Sequence, residues 1–164
     1  MQEISIPRTG QSGLSFVGEL LGEGSTVDNG TTTTTNPNTS LRTTNFHEPR
    51  PGFVARLYRT QGGQFVPFLS WSGDHLGGGF AEHWTEPQGD LSKALAWIEN
   101  VDVLDFGVVR ALTKQLFIEQ RTQSPFSAPS EKAMEVLRGI GDIVAAHKEA
   151  TARLRRALET ERIK

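Results

Sequence analysis

The chain has 164 residues, enough for one sizeable core and too few for two comfortable ones. With 36% hydrophobic and 22% charged residues it reads as an ordinary globular protein, and a formal net charge of -2 gives its surface no general attraction for nucleic acid. It has no cysteine, which excludes disulfides, thiolate zinc sites and cysteine nucleophiles and fits a reducing cytoplasm.

Residues 2–6 (QEISI) alternate as a short strand, and 13–22 (GLSFVGELLG) form a second, with Gly18 marking a bulge or a close backbone approach. The N-terminus lacks the basic flank and apolar run of a signal peptide, and no apolar run approaches membrane-spanning length, so no membrane association is expected. Residues 25–45 are rich in threonine and asparagine and nearly devoid of apolar side chains, so they read as a mobile surface loop. An extended flap is the competing reading, because β-branched threonine suits a strand. Two sequons, at Asn29 and Asn38, fall in this segment and read as chance products of its composition.

"GFVARLYRTQGGQFVPFLSWS" (52–72) consists of two strand-like runs joined at Gly62-Gly63, which signals a two-residue hairpin turn. That turn sets Arg59 opposite Val66, Tyr58 opposite Pro67 and Leu57 opposite Phe68. Phe53, Ala55, Leu57, Val66 and Phe68 then share one apolar face, and Val54, Tyr58, Phe65, Leu69 and Trp71 share the other. Both faces need cover, from this chain, from a second copy or from a different partner. Pro67 lacks an N–H towards the outer side, so the second strand is predicted to be a sheet edge or bulged there.

Residues 79–85 (GFAEHWT) read as a further strand. Helical periodicity follows. Asp90 caps DLSKALAWIEN, with Leu91, Ala94, Leu95 and Ile98 on one face, and a second helix spans about 105–121 with Val108, Val109, Leu112 and Leu116 as its stripe. "SPFSAPS" (124–130) ends it, and Ser130 caps a long last helix over 130–163. Strands first and helices afterwards predict a single α+β domain over 1–164: an antiparallel sheet of about four or five strands followed by two or three C-terminal helices. In the last helix Leu137, Ile140, Val144, His147, Thr151, Leu154 and Leu158 follow alternating three–four spacing, as in a coiled-coil seam. The stripe suits docking on the chain's own sheet, self-association as a homodimer, or an outside protein partner.

The stretch "GDHLGGGFAEHW" (73–84) sets Asp74-His75 and Glu82-His83 on either side of three glycines. Two histidines and two carboxylates suit a divalent metal or acid–base chemistry, which would make the chain a metal-dependent enzyme. No recognised ligand spacing is present, and neighbours in a strand point to opposite faces, so a glycine turn with polar shoulders is the simpler reading. The glycines lack the Gly-Lys-Ser/Thr ending of a phosphate loop, and the acids Glu99, Asp102 and Asp105 are explained by the positive ends of nearby helices. No serine sits in a G-x-S-x-G elbow. Catalysis has no support here, and no cofactor is implied. Nucleic-acid binding has Lys148, Arg153, Arg155 and Arg156 on the last helix, with Arg56, Tyr58 and Arg59 on the hairpin. A solvated face of mixed charge is the alternative to that reading.

Three segments, "FVGELLGE" (16–23), "LYRTQGGQFV" (57–66) and more loosely "VDVLDF" (101–106), resemble the small bacterial proteins of the EXLDI family. They cover about a seventh of the chain, and the last departs from the Glu-x-Leu-Asp-Ile pattern. The resemblance implies a bacterial, mobile-element-associated accessory protein and carries over no functional residues. The reading carried forward is a non-catalytic binding or assembly protein acting through the hairpin face and the terminal helix.

Overall fold

The computed structural model describes residues 1–27, 31–46, 52–74, 79–121 and 130–163. Seven strands are followed by three helices: β1 (Gln2–Ile6), β2 (Leu14–Ser25), β3 (Thr31–Thr35), β4 (Arg42–Phe46), β5 (Gly52–Thr60), β6 (Phe65–Asp74), β7 (Gly79–Thr85), α1 (Leu91–Asn100), α2 (Gly107–Arg121) and α3 (Glu131–Ile163). A short 3₁₀ turn at Val103–Asp105 joins α1 to α2. The main sheet is antiparallel in the order β1-β2-β5-β6-β7, so the chain is α+β as its element order predicts. The predicted caps are in place: Lys93 N donates to Asp90 Oδ1 at 2.7 Å, and Ala133 N to Ser130 Oγ at 3.1 Å.

The predicted hairpin register is off by one. Arg59 pairs with Phe65, Tyr58 with Val66 and Leu57 with Pro67. The loop holds three residues, Gln61 to Gly63, and not two. Gly63 N donates to Thr60 O at 3.0 Å, Thr60 N to Gln64 O at 2.8 Å, and Gly63 takes φ 83°. This is a tight turn closed by a left-handed glycine, a geometry Gly-Gly suits as readily as the two-residue turn. Thr60 Oγ1 selects it by accepting from Gln64 N at 3.0 Å.

A slip of one residue moves a whole strand's side chains to the other face. Leu57 and Phe68 therefore lie on opposite sides of the sheet. Phe53, Ala55, Leu57, Leu69 and Trp71 face the helices and form the main core with Ile98, Phe106, Ile143 and Leu154. Tyr58, Val66 and Phe68 face the other way and are buried with Ile6, against Ile4, Leu14 and Phe16. In a flat sheet β1 and β7 would stand about 19 Å apart. Here the loop after β1 reaches β7: Thr9 N donates to His83 O and His83 N to Thr9 Oγ1, both at 2.9 Å. The sheet is rolled, and its own first hairpin covers the second apolar face. Both greasy sides of the β5–β6 ribbon are thus covered within the chain.

Pro67 behaves as its chemistry requires. β6 is an inner strand, yet its ladder to β7 stops at Phe68↔Thr85 and resumes only as the Phe65↔Gln88 bridge, skipping the residue without an N–H. The sheet-edge expectation is corrected: Thr85 Oγ1 donates to Pro67 O at 2.5 Å and fills the gap.

Over residues 31–46 the threonine- and asparagine-rich segment takes the extended form that was its competing reading. Thr31–Thr35 pairs with Arg42–Phe46 as a separate two-stranded ribbon, closed by an Asn36–Ser40 turn in which Ser40 takes φ 57°. Backbone pairing of β-branched residues does not require burial, and composition alone hides this. The last helix docks on the chain's own sheet. A Cβ at Gly24 would lie 2.2 Å from Ala150 O, and one at Gly22 would lie 2.9 Å from Leu158 Cδ2.

Candidate functional sites

The hairpin residues proposed as a contact face do not share one. Leu69 and Trp71 are buried in the helix-facing core and Phe65 packs against it, whereas Tyr58 is buried inside the roll and Val54 is half-buried beside Ser25 of β2. The one-residue slip separates them. In α3 the seam divides along its length. Ile143, Ala150 and Leu154 are fully buried, His147 and Thr151 nearly so, and Leu158 packs over Gly22. Ile140 and Val144 are half-buried, and Leu137 is 47% exposed.

His147 is a core histidine. Its Nε2 lies 2.9 Å from Ile98 O at the end of α1, and its ring meets Phe53 edge-on at 5.7 Å. Desolvation holds its pKa below the usual histidine value, against the opposing pull of the Ile98 carbonyl and of Glu99.

Of the two acid–histidine pairs, Glu82-His83 is the one whose side chains are described, and its two members point to opposite faces. His75 lies outside the described residues, and Asp74 is the last residue of β6. Glu82 pairs across from Trp71 and faces the helices, where Trp84 Nε1 donates to it at 3.3 Å. His83, one residue on, faces into the roll and stacks on Phe68 at 5.8 Å. Among the described residues no group of three His, Cys, Asp or Glu is placed to hold a metal ion. Glu82 instead abuts the start of α2: a Cβ at Gly107 would lie 2.8 Å from its Oε1. A carboxylate is favoured at that positive helix end.

The three arginines of the basic run on α3 are paired within the molecule. Arg153 Nε donates to Glu149 Oε1 at 2.9 Å and its Nη1 to Ser25 O at 2.5 Å. Arg156 reaches the same Glu149 oxygen at 3.1 Å, and Arg155 binds Glu99 on α1 at 2.7 Å. Hydrogen bonding from Arg153 holds the Glu149 carboxyl below the usual range. On the sheet, Arg56 pairs with Glu23 and Arg59 with Glu19. Lys148 is exposed. A surface whose guanidiniums already face carboxylates offers few counter-charges to a phosphate backbone.

Two features that the sequence did not announce stand out. The first is an open cleft of ≈ 910 Å³ where β7, the loop after β1, the end of α1 and the start of α2 meet. Trp84 and Trp97 line it, with Arg8, Glu86, Asp105 and Arg110 among its charged residues. Trp84 is stacked on Phe106 at 4.2 Å, and Trp97 Nε1 donates to Glu86 Oε2 at 3.0 Å. Arg110 pairs with Asp105 at 3.4 Å. The available signal was Trp97, a large apolar residue outside the Leu91, Ala94, Leu95, Ile98 stripe of α1.

The second feature is the α2–α3 hairpin. α2 packs on α3 and on the 3₁₀ turn and, among the described residues, has no comparable contact with any strand. Val109, Leu112 and Val136 are buried in the main core, and Leu112 Cδ1 lies 4.0 Å from where a Cβ of Gly139 would be. Outside that core Phe117 is 56% exposed, Ile118 53% and Met134 45%. Phe117 lies roughly 100° round α2 from its buried stripe. Met134 and Leu137 straddle the same angle, in the same rotational sense, on α3. All three lie on the exposed surface of the packed helix pair. Arg121 covers part of it, its guanidinium 4.7 Å from the Phe117 ring centre.

Among the described residues no helix is long and apolar enough to cross a membrane. No protein-family model, no curated protein and no solved structure matches the chain.

Proposed function

We propose that this chain is a non-catalytic assembly protein that pairs with a second copy of itself through the α2–α3 hairpin. The observation that carries the reading is the exposure of Phe117 and Ile118 on α2 and of Met134 and Leu137 on α3, two helices packed on each other. Scattered exposed apolar residues are ordinary, but four on two helices packed together, where α2 has no comparable strand contact among the described residues, suit an interface. The hairpin face over β5 and β6 has no part in it, because those side chains belong to the chain's own core.

A second copy is the occupant that suits this surface. Two such hairpins meeting about a two-fold axis form a four-helix arrangement, each presenting the same surface to the other. Charge favours α2 of one copy against α3 of the next. α2 carries Arg110, Lys114 and Arg121 with one acid, Glu119, whereas the start of α3 carries Glu131, Glu135 and Asp142 against Lys132 and Arg138. The absence of cysteine fits a cytoplasmic setting. Molar mass by light scattering tests the proposal. The wild-type chain is expected at twice the chain mass, and Phe117→Glu with Leu137→Glu at the chain mass with unchanged circular dichroism. A wild-type monomer at the highest concentration reached, or a folded double variant that still pairs, would overturn it.

A further inference from the structure

We infer that the cleft between Trp84, Trp97 and Arg8 is a binding site for a short, neutral oligosaccharide. At ≈ 910 Å³ the cleft lies at the upper end of the range that holds small ligands, roughly 300–1,000 Å³, which gives room for more than one sugar ring.

The ligand class follows from what the walls refuse. An anion would seek the start of α2, a 15-residue helix, but the Glu82 carboxylate already occupies that end and Asp105 and Glu86 line the same cleft. A cation would meet two guanidiniums, Arg8 and Arg110. Glu86 and Asp105 already bind Trp97 and Arg110, so they are poorly placed to gather a metal ion. An apolar ligand would strip water from these charged groups and return no hydrogen bond.

A sugar meets each requirement. Its C–H face packs on an indole, and each hydroxyl both donates and accepts, which suits a wall of mixed carboxylates, carboxamides and guanidiniums. Both indoles are held before any ligand arrives: Trp84 by Phe106 and Glu82, and Trp97 by Glu86. Arg8 donates Nε to Ser12 O at 2.7 Å and has no partner for its Nη groups among the described residues. Gln11 and Asn100 supply the carboxamides at the rim.

Titration with maltotriose, cellotriose and chitotriose, followed by tryptophan fluorescence and indole N–H resonances, tests the inference. At least one sugar is expected to shift the Trp97 signal saturably. Trp97→Ala should abolish that response, and Arg8→Ala, in the loop after β1, should weaken binding about tenfold without altering the melting temperature. Three silent sugars, a response that survives both substitutions, or an equal response to inorganic phosphate would overturn it.

Discussion

Gly24 of β2 lies directly against Ala150 of α3: a Cβ at position 24 would come within 2.2 Å of the Ala150 carbonyl oxygen and 2.3 Å of Leu154 N. No side-chain rotation relieves a clash with helical backbone. Gly24→Ala should therefore cost about 3 kcal/mol in denaturant unfolding, at the upper end for overpacking. Gly22→Ala meets the side chains of Leu158 and Leu154 and no backbone, and should cost about 1 kcal/mol. Gly62→Ala, whose only close neighbour is Thr60 Oγ1 at 3.8 Å, should be neutral or slightly stabilising. Equal losses at positions 24 and 62 would mean that α3 is not seated on β2.

The same seating makes stability depend on pH through His147. Burial holds its folded pKa below the unfolded value near 6.5, so the unfolded chain takes up a proton first as pH falls. Stability is complete above about pH 6.5 and declines as the pH drops towards the folded pKa. Glu149 acts in the same direction but only below its ordinary value of 4.5. Melting temperatures between pH 7 and 5 should fall for the wild type and flatten for His147→Gln. Parallel curves would remove His147 from the account.

Glu82 is predicted to matter through α2. It is 6% exposed against the first residue of that helix, and its carboxylate accepts from Trp84 Nε1. Glu82→Ala should cost about 2 kcal/mol, whereas Glu86→Ala, at an exposed position, should stay within about 0.5 kcal/mol. Metal titration should leave the melting temperature of the wild type unchanged. A metal-dependent rise that Glu82→Ala removes would revive the metal reading.

Replacing Arg153, Arg155 and Arg156 together by glutamine should lower stability by no more than about 2 kcal/mol, since exposed pairs contribute little each. Fluorescence anisotropy with a labelled single-stranded oligonucleotide should give no binding for either protein. Salt-sensitive binding lost in the triple variant would restore the nucleic-acid reading.

Local chemistry made much of this fold legible. The Asp90 and Ser130 caps, the alternation of β5 and β6 and the three–four spacing of α3 are each decided within a few residues. Gly62-Gly63 marked a hairpin but not its loop length, because two turn geometries accept it and Thr60 Oγ1 decides between them. One residue of error there reassigned Leu57 and Phe68 to opposite faces. The rolling of the sheet rests on Thr9 and His83, 74 residues apart, and no local pattern reports it. The cleft is scattered in the same way, with Arg8, Trp84, Trp97 and Arg110 contributed by four elements. Along the seam of α3 the second half is core, and Leu137 near its start is surface.

Pairing of two hairpins is tested most directly by cross-linking, which the absence of native cysteine makes clean. Met134→Cys and Leu137→Cys, each treated with a short bismaleimide, should give cross-linked dimers, and Ser92→Cys, exposed on α1, should not. Dimer yields at positions 134 and 137 no greater than at position 92 would contradict self-assembly through α2 and α3.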